Sequence, residues 1–219
     1  MKRKNNLYLV LLLLLALTAQ VFAVRNIEYY YVGMPDRLNP TLTRQNRLEL
    51  IEYAKASQGD TVANRFGKQA RLLYVDTVQQ CIQVQNTPVS VFEMKLFATS
   101  AHDTIIGVIH TVCTPVCSSD IQFYSVAWTS LPIRFPMPRA TQWLDRKKLP
   151  ESGIDPAWVE NVLSTGFVSL TFNRNGDTIF AKNNTLDFLS DTDRKDVEPF
   201  LLNNPVAFRL VGKEWVEVK

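Results

Sequence analysis

The sequence is poor in the residues that most catalytic and metal centres require. Its 219 residues include two histidines and three cysteines. It contains no Gly-x-Ser-x-Gly segment and no Cys-x2-Cys pair, which are the local patterns of a serine hydrolase and of a zinc site. It also contains no low-complexity stretch and no clean internal repeat. The sequence therefore names no reaction, and its informative features concern location and fold.

The N-terminal segment has the pattern of a secretory signal. Lys2, Arg3 and Lys4 precede an apolar run over residues 7–17, and small or apolar residues follow up to Ala23. The run is well short of the length that a membrane-spanning helix needs. The first cysteine is Cys81, so none stands just after the run to carry a lipid anchor. We expect cleavage near Ala23, a periplasmic or secreted product, and no membrane span in the mature protein.

The predicted cleavage changes the charge balance. The whole chain carries 24 Lys and Arg against 21 Asp and Glu, and the signal segment holds three of the basic residues and no acidic ones. The mature part then has 21 residues of each sign and a formal charge of zero. A neutral domain lacks the basic field that gathers phosphates, which argues against a nucleic-acid partner. Low net charge also gives weak self-repulsion, which is permissive for association.

Residues 24–154 have the pattern of a helix followed by an antiparallel meander. Residues 27–32 have the composition of a short strand. Residues 42–57 form an amphipathic pattern that Thr41 or Thr43 can cap, so we predict a helix there. Strand patterns follow over residues 82–85, 92–96, 104–112 and 121–128, and short turns join them. Glu93 and Lys95 should face water, whereas residues 104–112 are apolar on both faces, as in a central strand.

The C-terminal part has a second, smaller α+β pattern. Residues 129–156 hold five of the eleven prolines, which is typical of a linker or a crossing loop. Residues 155–219 then predict a helix capped by Asp155, a hairpin, a helix capped by Ser190, and a last hairpin. The predicted fold class is α+β, a curved antiparallel sheet with an N-terminal helix packed on it and this smaller helix–hairpin–helix–hairpin portion behind it. Residues 155–219 either form a subdomain or complete the same sheet.

The two histidines are weak candidates for catalysis. His110 lies in the predicted central strand, and His102 lies in a turn beside Asp103. A hydrolase needs a serine, a histidine and a carboxylate that converge in space, and sequence spacing does not show convergence. A core histidine and a solvated turn are the simpler interpretations. The carboxylates likewise have simpler roles: Glu151 and Asp155 as turn and cap residues, and Asp191, Asp193 and Asp196 as a solvated helix start.

The cysteines admit two interpretations. His110, Cys113 and Cys117 are close in sequence, but strand alternation places residues 110 and 113 on opposite faces, which argues against a metal site. Cys113 ends one predicted strand and Cys117 precedes the next, so a disulfide between them is feasible in an exported protein. Two reduced thiols are the alternative. Cys81 should lie opposite Ile82 and Val84, on the more polar face of its strand.

Several segments of the chain resemble a known family. The clearest runs from Gly33-Met34-Pro35-Asp36 through Asn46-Arg47 to Glu52; shorter matches occur over residues 91–96, 111–115, 121–125 and 188–199. The sequence resembles an uncharacterised family of exported Bacteroidales proteins, domain of unknown function 3256. The resemblance covers nearly the whole mature chain. It implies no assigned activity, so it transfers no functional residues.

That resemblance also raises a modification hypothesis. Exported Bacteroidales proteins are commonly O-glycosylated at Asp-(Ser/Thr)-apolar triplets, and the chain has four such triplets. The candidate acceptors are Thr61, Thr77, Thr104 and Thr178. The alternative is that Asp-Thr starts strands and turns for local hydrogen-bonding reasons.

The functional expectation is a non-catalytic exported binding or assembly module without catalytic, cofactor or metal residues. Its partner would be an unknown envelope protein or glycan, which aromatic residues on a surface or sheet face would contact. One alternative is a hydrolase with a dispersed site around His102, His110 or a carboxylate pair. The other is a thiol or redox protein that uses Cys113 and Cys117.

Overall fold

The computed structural model describes residues 25–100, 103–150, 153–212 and 214–218. The predicted signal segment, His102 and Glu151 lie outside these residues. Within them, the chain forms four α-helices and two antiparallel sheets. The helices are α1 (Ile27–Gly33), α2 (Arg44–Lys55), α3 (Pro156–Val162) and α4 (Asp191–Val197). The first sheet contains β1 (Thr61–Ala63), β2 (Gln69–Asp76), β3 (Cys81–Thr87), β4 (Ser90–Ser100), β5 (Asp103–Cys113) and β6 (Cys117–Ser125), and the second contains β7 (Val168–Phe172), β8 (Thr178–Asn183), β9 (Val206–Val211) and β10 (Glu214–Val218).

The first sheet is the predicted meander. Its strands lie in sequence order from β1 to β6, and each neighbouring pair is antiparallel. The predicted strands correspond to β3, β4, β5 and β6. The sequence patterns did not predict β1 and β2, because β1 has three residues and a register shift near Leu73 interrupts the alternation in β2.

Both faces of the first sheet are covered. One face, with Met94, Ile106 and Val108, packs against α1 and α2, and we call this the helix-side core. The other face, with Phe97, Ile109 and Phe123, packs against the second sheet, and we call this the sheet-side core. This arrangement explains why β5 is apolar on both faces, as expected for a central strand.

The segment predicted as a short strand at residues 27–32 is instead helix α1. The side chain of Asn26 accepts a hydrogen bond from the Tyr29 amide at 3.2 Å and caps the helix. Ile27, Tyr30 and Tyr31 are buried on the side that faces the sheet, while Tyr29 is exposed. The composition of the segment favours a strand, but its apolar residues are spaced so that one face of a helix packs against the sheet. This packing outweighs the strand preference of the individual residues.

Helix α2 confirms the amphipathic helix predicted at residues 42–57. Thr43 caps it, since its hydroxyl accepts from the Asn46 amide at 3.1 Å. The Asn46 side chain in turn accepts from the Thr43 amide at 3.1 Å. Leu50 and Ile51 face the sheet and are buried.

The second sheet has the order β10-β9-β8-β7 and begins after α3. The predicted caps are present: Asp155 accepts from the Ala157 amide at 2.9 Å and Ser190 from the Asp193 amide at 3.1 Å. Gly107 allows the sheets to approach closely, because an added Cβ atom would lie 2.8 Å from the Phe97 ring and 3.0 Å from the Phe172 ring. The sheet-side core therefore joins residues from both predicted portions, 24–154 and 155–219.

The proline-rich segment crosses from one sheet to the other. The Leu131 amide donates to the Phe123 carbonyl at 2.9 Å, so the segment begins as an extension of the first sheet. Phe135 then packs against Phe208 and Trp215, with ring centroids at 4.9 and 5.9 Å. No helix in the described ranges has the length and apolar character needed to cross a bilayer.

Candidate functional site

His110 lies in β5 on the helix-side face and is partly buried. Its ring stands edge-on to Phe92 with centroids 5.2 Å apart. Burial lowers the pKa of His110, while the Asp120 carboxylate and a hydrogen bond to the Leu38 backbone oppose that shift. His110 does not line the groove described below.

The candidate carboxylates occupy the structural positions expected for turns and caps. Asp155 caps α3, and Asp191, which is exposed, and Asp193, which is partly buried, lie in the first turn of α4, where carboxylates suit the helix dipole. Within the described ranges, no three His, Cys, Asp or Glu side chains are grouped so that they could hold a metal ion.

Cys113 and Cys117 form a disulfide across the β5–β6 hairpin, where the two residues are register partners. Cys81 is a free cysteine on the polar face of β3, and it is fully buried. Burial raises the pKa of the Cys81 thiol, which disfavours the reactive thiolate.

The prediction that Glu93 and Lys95 face water is wrong. The two residues are 3% and 2% exposed, because β7 and the following turn cover this face of β4. The Lys95 ammonium donates to the backbone carbonyls of Gln79 at 3.2 Å and Arg174 at 3.3 Å. Arg174 in turn pairs with Asp76 at 3.2 Å. These polar contacts hold the turn between β7 and β8 of the second sheet against the first sheet.

Glu93 forms hydrogen bonds with β7, the edge strand of the second sheet. Its carboxylate accepts from the Phe172 amide at 3.1 Å, the Thr171 hydroxyl at 2.9 Å and the Gln83 side chain at 3.0 Å. Burial raises the pKa of Glu93, although these three donors favour the charged form. Ser119 acts similarly, since its hydroxyl accepts from the Leu170 amide at 2.9 Å.

The clearest family-like segment also has a structural role. Arg47 is fully buried, and its guanidinium donates to the carbonyls of Tyr31 at 3.0 Å, Leu42 at 2.7 Å, and also Met34. It pairs with Asp36 at 3.1 Å. These contacts reach carbonyls at the end of α1 and in the connection to α2, so Arg47 joins α1 to α2.

A concave site lies on the outer face of the second sheet. This groove has a volume of about 400 Å³ and lies between strands β7 and β8 and the segment 201–205. Its apolar wall includes Trp143, which donates from its indole to the Asn204 carbonyl at 2.9 Å and fixes that segment. The lining consists of Trp143, Ser169, Leu170, Thr171, Phe180, Lys182, Asn183, Leu186, Leu201, Leu202, Asn203, Asn204 and Pro205.

The groove combines apolar surface with polar groups that are free to bind. Lys182 alone is charged among its lining residues, and it makes no ion pair with any described residue. The side chains of Asn203 and Asn204 accept and donate no hydrogen bond within the described ranges. A few free polar groups over an apolar floor are typical of a ligand site. The sequence patterns did not predict this groove, because residues 203–205 have only the composition of a turn.

The candidate O-glycosylation residues differ in accessibility. Thr77 is exposed in the turn between β2 and β3. Thr61, Thr104 and Thr178 are partly buried at the starts of strands, where the local hydrogen-bonding explanation also applies.

The family model for proteins of unknown function, DUF3256, matches residues 19–215. The chain belongs to this family. No curated protein matches it. One similar solved structure is a domain of an uncharacterised protein from Porphyromonas gingivalis W83. It is 19% identical, with a TM-score of 0.72 over 88% of this chain and 97% of that domain. The family resemblance seen in the sequence is therefore confirmed, and at this identity the structural likeness concerns the fold alone.

Proposed function

We propose that this DUF3256 protein is a non-catalytic exported module that binds a protein or glycan partner of the cell envelope in the groove on its second sheet. The observation that carries the proposal is the groove itself, with Lys182, Asn203 and Asn204 unpaired above an apolar floor. Phe180 is half-exposed on the same face and offers a ring to an apolar side chain or a sugar.

The positions of the chemically active groups support binding over catalysis. His110 and the buried carboxylate of Glu93 lie on the first sheet and do not line the groove. A catalytic site needs such groups within reach of a bound substrate. The Cys113–Cys117 disulfide supports export, since disulfides persist in oxidising compartments.

The test is affinity capture from the native envelope with the full chain as bait. Asn203→Trp should fill the groove, and Lys182→Glu should reverse its charge, so both variants should lose at least about tenfold in affinity for the captured partner. Lys68→Glu is the matched control, because Lys68 is an exposed lysine in the turn between β1 and β2. Equal capture by all three variants would show that the groove is not the binding site.

A further inference from the structure

Strand β10 presents an unpaired edge. It pairs with β9 along its whole length without a register shift, and no strand formed by the described residues lies on its other side. In the described ranges, no residue of 214–218 makes a backbone hydrogen bond outside that ladder. The outer N–H and C=O groups of β10 are therefore available to another strand.

The other strand edges are covered in part, and among the described residues β1 pairs with β2 only over residues 69–71. The amides of Leu170 and Phe172, on the edge of β7 away from β8, donate hydrogen bonds to the Ser119 hydroxyl and the Glu93 carboxylate. Beyond β6, the Leu131 amide bonds to the Phe123 carbonyl. β1 has three residues. β10 has five residues and neither a proline nor a bulge, and its charged residues are Glu214 and Glu217.

We propose that two copies of this chain associate through antiparallel pairing of their β10 strands, with the two-fold axis at Val216. Val216 then faces Val216 of the second copy, Glu214 faces Val218, and Trp215 faces Glu217. This register pairs all five residues of the strand and sets no carboxylate opposite another. Centring the axis on Glu214 or Glu217 would place like charges face to face.

The side chains of β10 suit pairing with the β10 strand of a second copy. Val216 and Val218 are 47% and 41% exposed on the outer face of the second sheet. Pairing gives Val216 and Val218 lateral apolar contacts in a continuous eight-stranded sheet. Glu217 of the second copy also places an acceptor opposite Trp215, whose buried indole N–H has no acceptor among the described residues. A two-fold contact of this kind closes on itself and produces a dimer.

The formal charge of the whole chain is +3, so self-repulsion between two copies is weak. Association should therefore depend on the strand contact itself, and a charge placed on the two-fold axis should control it.

The experiment measures the mass of the full chain in solution by sedimentation at increasing protein concentration. The wild-type chain should dimerise. Val216→Lys and Val216→Glu each set like charges face to face, so each should weaken the dimer by about tenfold or more, and an equimolar mixture should restore association. Val211→Lys is the control, because Val211 is exposed on β9 away from the edge. A monomeric wild type, or a Val216→Lys dimer as tight as the wild type, would overturn the proposal.

A cysteine pair tests the register. The two-fold axis sets residue 216 opposite itself at about 4.5–5.5 Å between Cα atoms, so Val216→Cys should cross-link two copies under mild oxidation. Residue 218 lies about 13 Å from its copy in this register, so Val218→Cys should not cross-link. Cross-linking through position 218 and not 216 would contradict the assigned pairing.

Discussion

Glu93 and Lys95 show how burial changes the role of residues whose sequence pattern favours water. They alternate with Phe92 and Met94 in β4, which is the pattern of a half-buried strand. The second sheet then covers the polar face, so both side chains need partners inside the protein. Their hydrogen bonds to Phe172 and Arg174 hold the two sheets together.

We predict that Glu93 makes stability depend on pH. The pKa of Glu93 is raised above its ordinary value of 4.5, so the folded chain holds this proton more tightly than the unfolded chain. The contribution of Glu93 to stability is therefore greatest at low pH and falls as pH rises through the ordinary pKa towards the raised one. The Gln side chain of Glu93→Gln has no proton to lose in this pH range. The free energy of unfolding of this variant should therefore increase relative to that of the wild type as pH rises across this window.

Urea unfolding at a series of pH values measures this difference. Glu93→Ala is the control, because it leaves buried donors such as the Phe172 amide unpaired and should cost about 1–3 kcal/mol or more at every pH. A constant difference between Glu93→Gln and the wild type across the window would contradict the prediction.

At the scale of elements, the packing of α1 against α2 depends on the buried side chain of Arg47. Arg47 lies in α2 and binds carbonyls at the end of α1 and in the connection between the helices. The segment around it resembles the family most closely, yet its contacts are structural. A sequence motif of this kind therefore specifies how two helices meet.

We predict that Arg47→Met costs about 3–5 kcal/mol, because it removes donors from several buried carbonyls and leaves Asp36 without its buried partner. Asp36→Asn should cost less, about 1–2 kcal/mol, because Asn can still accept a hydrogen bond from Arg47 and the residue 36 side chain is 41% exposed. Denaturant unfolding of the two variants measures both effects. An equal loss in the two would show that the ion pair, and not the carbonyl contacts, supplies the stability.

Local signals located most elements but not their packing. The caps at Thr43, Asp155 and Ser190 predicted three helices, since each cap acts on amides within three residues of itself. The strand predicted at residues 27–32 was wrong, because α1 is selected by its contact with the sheet. The groove residues Lys182 and Asn203 also escaped prediction, since they are 21 positions apart and meet only when β8 and the segment before β9 pack together.

At the scale of the whole molecule, one sheet separates two cores. The helix-side core uses α1 and α2, and the sheet-side core uses the second sheet, so in the described part of the chain the outer face of that sheet carries exposed residues such as Lys182, Arg209 and Val216. The groove and the edge of β10 both belong to this sheet. Partner binding and self-association are therefore proposed for different parts of one surface.

We further propose export with cleavage near Ala23 and O-glycosylation, for which Thr77 is the most accessible acceptor. The intact mass of the protein from its native host should correspond to a chain that begins near residue 24 plus an added glycan. Thr77→Ala should remove the addition, whereas Thr178→Ala, at a partly buried strand start, should retain it. A mass equal to the bare mature chain would exclude glycosylation, and a mass equal to the full chain would exclude cleavage.

The sequence by itself determined the antiparallel meander, the helix caps, the hairpins and the family, because each depends on residues close together in the chain or on a repeating pattern. Tertiary structure decided that residues 27–33 are helical, that Glu93 and Lys95 are buried, and that Cys113 bonds Cys117. It also created the groove and left one edge of β10 without a strand neighbour among the described residues. The physical reason is that burial and strand neighbours depend on which distant segments pack together, and local patterns do not contain that information.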